Sequence, residues 1–334
     1  MKKYKTNLQF LFSYFRETSY LKKIKILFKI TGIKYIIYHT LSFFLLIILK
    51  TKSFFIRGLI FDLQKKITEF VSVKNKYNEN YVLFAKDNII SKEVFIKEEF
   101  DTEKLIKVLN YLKPSNDIEN LYDIGANIGT ICIPAVNRNL VKKAYAVEPE
   151  KRNFKLLKIN VILNNLEEKI SLFNYALSDE DDAIVEMELA NDNSGDHRVK
   201  KNVKFNFYEE NKRKVVKIKT KKFDSLFKDI NPKKDLIWID TQGYEPNILK
   251  GASNLIKSKA TIVIEFWPYG LKRNGTWDQM FKLLEKFDYI VDLSCENLKA
   301  EKLNTETLKN LGSGWQNEEK DKHSLFTDLI LLHK

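Results

Sequence analysis

The sequence predicts an alternating α/β fold, an open and mostly parallel sheet with helices on both faces, preceded by a basic helical extension. Three observations predict it. From Tyr81 onward, short apolar runs alternate with segments of helical period, the pattern of an α/β domain. One run, Leu121 to Thr130 (LYDIGANIGT), reads as a strand that stops at a glycine and turns into a helix. The charge also changes abruptly along the chain. Residues 1 to 80 hold 16 Lys+Arg against 4 Asp+Glu, so +12 of the formal +13 belongs to the first quarter of the 334 residues. The expected division is therefore residues 1–75, a basic and apolar extension, and residues 76–334, the main domain.

In the extension, Tyr35 to Leu49 (YIIYHTLSFFLLIIL) is almost wholly apolar between Lys34 and Lys50. As a helix it would be about 22 Å long at ~1.5 Å per residue, short of a ~30 Å hydrocarbon core. It starts late for a secretory signal and lacks a small-residue cleavage site. Upstream, Leu8 to Phe15 and Tyr20 to Ile33 mix aromatic and aliphatic residues with Lys22, Lys23, Lys25 and Lys29, a composition suited to helices in a headgroup layer. The expected partner is an anionic membrane surface, met through residues 1–60 at the inner, cytoplasmic face. The competing readings are a helical subdomain with this run as its core, and nucleic-acid binding. The last is not expected, because no groove-reading motif or aromatic strand platform is evident. Cys132 and Cys295 are the two cysteines, without metal-ligand spacing or a disulfide framework.

In the main domain the strand candidates are Leu121 to Ile124, Ala144 to Val147, Ile170 to Ala176, Leu236 to Asp240, Thr261 to Phe266, Tyr289 to Leu293 and Leu325 to Leu332. Between the first two, Ile128, Ile131, Cys132 and Ala135 keep helical spacing, and Pro134 should kink or shorten that helix. Phe154, Leu157 and Val161 mark the next helix. Ile248, Leu249, Ala252, Leu255 and Ile256 mark a third, opened by Pro246. The stretch Asp179 to Lys222 is long, polar and charged, and is read as the wall of an acceptor pocket.

Ligands of open α/β sheets bind at the carboxyl ends of the strands, where glycines let backbone approach the ligand. The dinucleotide pattern would need Gly at positions 127 and 130, which are Asn127 and Thr130. No Walker-type Lys is present. What remains, Asp123-x-Gly125-Ala126-Asn127-x-Gly129, suits a ligand with an amino-acid tail and a sulfonium. Asp123 would accept from the ammonium, and N–H groups at the helix start would hold the carboxylate. Glu148, in AVEPE after the second strand, is placed to take both ribose hydroxyls.

The sequence resembles the FkbM family of class I methyltransferases over about 250 residues. The resemblance is carried by FAKDNIISKEVFIKEEFD, LYDIGANIGT, AVEPEKRNFKLLKINVILNN, NYALSD, SGDHRV, WIDTQGYEPNILKGA and IVIEFWP. It implies a seven-stranded, Rossmann-like sheet with the last strand antiparallel. It also implies S-adenosylmethionine as cofactor and a hydroxyl acceptor, often on a sugar or polyketide. Carried over residue by residue, Asp123, Gly125, Ala126, Asn127, Gly129 and Glu148 would bind the cofactor, with Asn174 and Ala176 bordering the adenine. Asp240, Gly243 and Glu245 match the family's loop after the fourth strand.

Methyl transfer to an alcohol requires alignment and removal of a proton. His197, Asp240 and Glu265 are the candidates for that proton. His197 has the intrinsic pKa for the task, with Asp196 beside it; the plainer reading is a surface histidine. Asp240 and Glu265 end adjacent strands, and for Asp240 the plainer reading is a helix cap or second-layer support. Glu245 and Glu265 are also candidates to bind acceptor hydroxyls or to pair with Arg198. Asn193, Ser194 and Asp196 are candidates to hydrogen-bond a sugar, the plainer reading of that charged segment being a solvated face, and Trp267 and Tyr269 either stack on its ring or pack in the core. No metal site is expected. The expected activity is O-methylation of a saccharide or lipid-linked glycan. The alternative is a catalytically silent binding protein of the same fold at a membrane.

Overall fold

A computed structural model describes residues 53–200, 209–314 and 325–334. Tyr35 to Leu49 and the rest of the apolar N-terminal stretch lie outside these residues. Among the described residues no helix is long and apolar enough to cross a membrane. The chain divides into two units, Met1–Ile60 and Phe61–Lys334.

The elements run α1 (Phe54–Gln64), β1 (Phe70–Lys74), β2 (Asn80–Phe84), α2 (Ile90–Lys97) and α3 (Thr102–Leu112). They continue β3 (Asn120–Ile124), α4 (Cys132–Asn137), β4 (Lys143–Val147), α5 (Lys151–Leu163), β5 (Ile170–Phe173), β6 (Ala176–Leu177), β7 (Ile184–Leu189) and β8 (Arg198–Val199). After a 3₁₀ turn at Glu210–Lys212 come β9 (Lys214–Lys221), α6 (Phe223–Leu226), β10 (Asp235–Ile239), α7 (Glu245–Lys250) and α8 (Ser253–Ser258). The last are β11 (Thr261–Phe266), α9 (Pro268–Arg273), α10 (Trp277–Leu284), β12 (Tyr289–Asp292), β13 (Glu301–Lys302), α11 (Thr305–Gly314) and β14 (Thr327–Leu332).

The large sheet has the order β13-β12-β14-β11-β10-β3-β4-β5. β3, β4, β5, β10 and β11 are parallel, and β14 inserts antiparallel between β11 and β12. The antiparallel last strand agrees with the resemblance. Among the described residues the sheet has eight strands rather than seven, because the two-residue β13 adds an edge to β12. β10 and β11 are buried along their whole length, as expected of central strands covered on both faces. The period of two then sorts their side chains into two cores. Leu121, Ala146, Trp238, Val263 and Ile330 face one side with α3, α4 and α5. Ile124, Val147, Ile239, Ile264 and Leu331 face the other with α7, α8 and α10.

Local chemistry explains the helix starts near the site. Pro134 has no N–H to give the carbonyl of Thr130, and α4 is only six residues long. The Thr102 hydroxyl reaches that carbonyl at 3.4 Å instead. Glu150 caps α5, its Oε2 accepting from Arg152 N at 2.7 Å and Asn153 N at 2.8 Å. Pro246 stands in the first turn of α7, as expected.

Two parts of the fold differ from the sequence expectation. The run Ile170 to Ala176 is not one strand: the large sheet takes β5, and β6 pairs with β9 in a separate sheet. The charged stretch Asp179 to Lys222 is largely ordered into that second sheet, order β6-β9-β7-β8, whose small core is Ala176, Met187 and Ile218. Lys217 and Lys219 of β9 occupy outer positions of an alternating pattern, which hides the strand from a reading based on net polarity.

Candidate active site

The ends of β3, β4 and β10, roofed by the segment between β7 and β8, line a cleft. Its wall includes Gly125, Asn127, Glu148, Ala176, His197 and Asp240. Asp123, Ala126, Gly129, Asn174 and Glu265 lie outside that wall.

The floor is built by the turn after β3. Gly125 has φ +98° and packs against the end of β10, where a Cβ would lie 1.9 Å from the Asp240 carbonyl oxygen. Any side chain would meet backbone there, so only glycine lets the two loops come together. Gly125 N and Ala126 N both donate to Val147 O, at 2.9 and 3.0 Å. Ala126 itself is buried. Gly129, at φ +95°, is hemmed in by Ile133 and Leu157. Asp123 lies beneath the turn, and its Oδ2 accepts from Cys132 N at the start of α4 at 3.1 Å. Burial raises its pKa to about 7, with a further push from the Asp240 charge.

Glu148 is held at both oxygens of its side chain. Oε2 accepts from Asn127 N at 2.9 Å and Oε1 from Glu150 N at 2.7 Å. Each oxygen keeps a lone pair for one more donor. Burial raises its pKa to about 8, against the lowering effect of those two N–H groups. The Asn174 amide donates to the carbonyls of Glu148 and Pro149 at 2.8 and 3.1 Å, and so ties down the turn that carries Glu148. Ala176 opens β6 and meets the cleft from below.

The roof is the SGDHRV segment. The Ser194 carbonyl accepts from Asn127 Nδ2 at 2.9 Å and from Asn153 Nδ2 at 3.0 Å. The Ser194 hydroxyl donates to Asp87 Oδ2 at 2.6 Å. The same Asp87 oxygen accepts from the Ser91 hydroxyl at 3.0 Å and Ser91 N at 3.1 Å. Asp87 and Asn153 were not singled out from sequence, although both fall within the quoted FAKDN and AVEPEKRN motifs; what betrays their role is contact across more than 40 positions. Asn153 Oδ1 is buried in the cleft wall and has no protein partner among the described residues.

His197 accepts from Ala190 N through Nδ1 at 3.1 Å. Burial pulls its pKa down to about 4, outweighing the raising effect of Asp196. At neutral pH the ring is therefore uncharged with its proton on Nε2, and it offers the cleft a donor rather than a base. Asp196 is turned away toward Arg198 and Arg213. Asp240, just past β10, is half-buried, and its Oδ1 accepts from Gln242 Nε2 at 3.0 Å. Burial raises its pKa to about 6, helped by the Asp328 charge. The same Gln242 amide donates to Glu265 at 3.1 and 3.3 Å. Burial, then the charges of Asp240 and Glu245, hold Glu265 well above the ordinary carboxylate range.

Several expectations are corrected here. The side chains of Ser194 and Asp196 are engaged within the chain. Arg198 pairs with Asp196 and Glu210, whereas Glu245 accepts from Thr241 N, Thr241 Oγ1 and Gly243 N. Trp267 and Tyr269 are buried, and the Arg198 guanidinium lies 4.5 Å from the centre of the Trp267 ring. They pack in the core and leave no face for a sugar. A buried lattice of Arg198, Arg213 and Arg273 with Glu188, Asp196 and Glu210 instead ties the second sheet to α9.

The Methyltransferase FkbM domain matches residues 123–291, half of the chain. The chain belongs to the FkbM methyltransferase family. The matched span of this FkbM domain opens on Asp123 and contains Glu148, His197, Asp240 and Glu265. The chain is 29% identical over 133 residues to a tRNA (guanine(37)-N(1))-methyltransferase of Xenopus tropicalis, covering 34% of this chain and 26% of that one. It thus spans about a quarter of the length of that relative. Among solved structures it is similar to the methyltransferase FkbM of Methylobacillus flagellatus KT, with TM-score 0.37 and 13% identity over 83% of this chain and 59% of that one. It is also similar to the M. jannaschii tRNA m1G37 methyltransferase, with TM-score 0.36 and 14% identity over 80% of this chain and 56% of that one.

Proposed function

We propose that the cleft binds S-adenosylmethionine and that this FkbM protein transfers its methyl group to a hydroxyl of a saccharide or lipid-linked glycan. The observation that carries the reading is the Glu148 carboxylate. It is fixed by one backbone N–H per oxygen and keeps one acceptor position on each, as a vicinal ribose diol requires. The unpartnered Oδ1 of Asn153 in the same wall adds an acceptor for a ligand N–H or O–H. Gly125 and Asn127 line the turn where the amino-acid end of the cofactor would lie, and Ala176 and Pro149 supply flat apolar surface for the adenine.

The cofactor, when bound, supplies an electrophilic methyl on sulfonium. The chain must align the acceptor oxygen with it and take up the hydroxyl proton. Asp240 is the group suited to receive that proton. Its pKa of about 6 leaves it ionised at neutral pH, yet more basic than an ordinary carboxylate. Gln242 holds one Asp240 oxygen and spans to Glu265, which fixes the orientation of the base. The Nε2–H of His197 is a donor for a second acceptor oxygen. Residues 1–60 would hold the domain at the inner, anionic face of a membrane, beside a lipid-linked acceptor.

Calorimetric titration of the full chain with S-adenosylhomocysteine and with NADH tests the cofactor assignment. Binding of the thioether alone is the expected result. Binding of neither by folded protein, or of NADH alone, would remove it.

A further inference from the structure

A second and larger concavity, about 720 Å³, adjoins the cleft and shares Asn153, Ser194 and His197 with it. The cations in its wall come from four separate places in the chain. Lys65 and Lys66 follow α1, Lys86 follows β2, Arg152 opens α5, and Lys214 opens β9. Such a set is not a local run of charge, because folding alone assembles it. The alternation of β9 puts Lys214 on the same face as Val216 and Ile218, toward the concavity and away from the outer row of Lys217 and Lys219.

The wall's three carboxylates do not neutralise these cations equally. Glu69 pairs with Arg152. Asp87 and Glu150 are buried and accept from protein donors, Asp87 from Ser91 and Ser194 and Glu150 from the first turn of α5. Lys65 pairs with Asp62. Lys66, Lys86 and Lys214 are exposed, with no ion pair among the described residues. Like charges gathered without a counter-charge in a concavity repel one another and focus a positive potential into it. The arrangement gains most from a compact anion with several oxygens, such as a phosphate ester or diphosphate.

We infer that this concavity is the acceptor subsite, and that it takes a saccharide bearing a phosphate or diphosphate group, held by Lys66, Lys86 and Lys214. The inference rests on the proposed reading of the adjoining cleft as the cofactor site. The asparagines of the wall, Asn191 and Asn193, suit sugar hydroxyls, whereas base stacking would need exposed aromatic faces. The one aromatic residue of the wall, Phe84, is buried.

The test compares the full chain with the triple variant K66E/K86E/K214E. Inorganic diphosphate is titrated calorimetrically, followed by S-adenosylhomocysteine. Binding of diphosphate that weakens at least about 30-fold in the variant, with the thioether bound equally by both proteins, is the expected result. Diphosphate binding that is absent or unchanged in the variant, while the thioether still binds, overturns the anionic subsite and leaves the cofactor site standing. Loss of thioether binding in the wild-type chain instead overturns the cofactor reading, and the acceptor assignment with it. A 20-residue oligouridylate that binds more tightly than diphosphate, and is released by the same three substitutions, makes the groove a nucleic-acid site and refutes the saccharide.

Discussion

Replacing Glu148 by glutamine tests the cofactor site most sharply, because the carboxylate's surroundings specify what the amide would break. Both oxygens of Glu148 accept a backbone N–H, at 2.9 Å from Asn127 and 2.7 Å from Glu150. A glutamine amide has one oxygen, so one of those N–H groups would face an NH₂ donor. The unsatisfied buried donor costs about 1–3 kcal/mol of folding stability. On the ligand side, at a pH above the about 8 of Glu148, one of two charge-assisted hydrogen bonds to the ribose is lost and the other becomes neutral. Such bonds contribute about 1.5–3 kcal/mol each, so S-adenosylhomocysteine should bind roughly 10- to 150-fold more weakly. Titration calorimetry measures the affinity, and urea unfolding of the unliganded protein measures the stability. A variant that is destabilised as stated yet binds the thioether within about threefold of wild type would show that Glu148 only braces the turn, and the ribose assignment would fall.

Three further outcomes are expected. Asp240→Asn should lower kcat by about 100-fold or more with thioether affinity unchanged, and should abolish an acidic limb of the pH–rate profile near the about 6 of Asp240; a variant that retains kcat excludes Asp240 as the base. Gly125→Ala would set a Cβ 1.9 Å from the Asp240 carbonyl at φ +98°, and should cost about 3 kcal/mol or more in urea unfolding; a loss below about 1 kcal/mol would mean that the loop yields easily. The pKa values of Asp123 and Glu148 are raised in the folded state to about 7 and about 8. Their contribution to stability is therefore full below about pH 4 and is lost as pH rises through the range from about 7 to 8. The double variant Asp123→Asn/Glu148→Gln should flatten the fall in unfolding free energy between about pH 5 and 8, and an unchanged slope would assign that pH dependence elsewhere.

The sequence by itself determined whatever rests on local periodicity and turn chemistry. Short β-branched, mostly apolar runs such as LIWI and TIVIEF read as strands, and they are the central ones. The strand-to-glycine turn at Gly125, the absence of Gly at 127 and 130, and an acid at 148 were legible because each is a requirement on backbone or ligand chemistry at one place in the chain. Pro134 and Pro246 marked their helices for the same reason. The tertiary structure alone decided the roles of side chains whose partners lie far away in sequence. Ser194 and Asp196 look like free polar groups in SGDHRV, but Asp87, 107 positions upstream of Ser194, takes the serine hydroxyl, and Arg198 and Arg213 take Asp196. Trp267 looks like a sugar platform until the Arg198 guanidinium covers it. Composition gave His197 an imidazole near neutrality; burial and the N–H of Ala190 make it an uncharged donor. The gathering of Lys66, Lys86 and Lys214 is likewise invisible in a chain rich in lysine throughout. Burial and charge proximity are properties of three-dimensional neighbours, and the periodicities of a sequence specify which face a residue occupies but not what it will meet there.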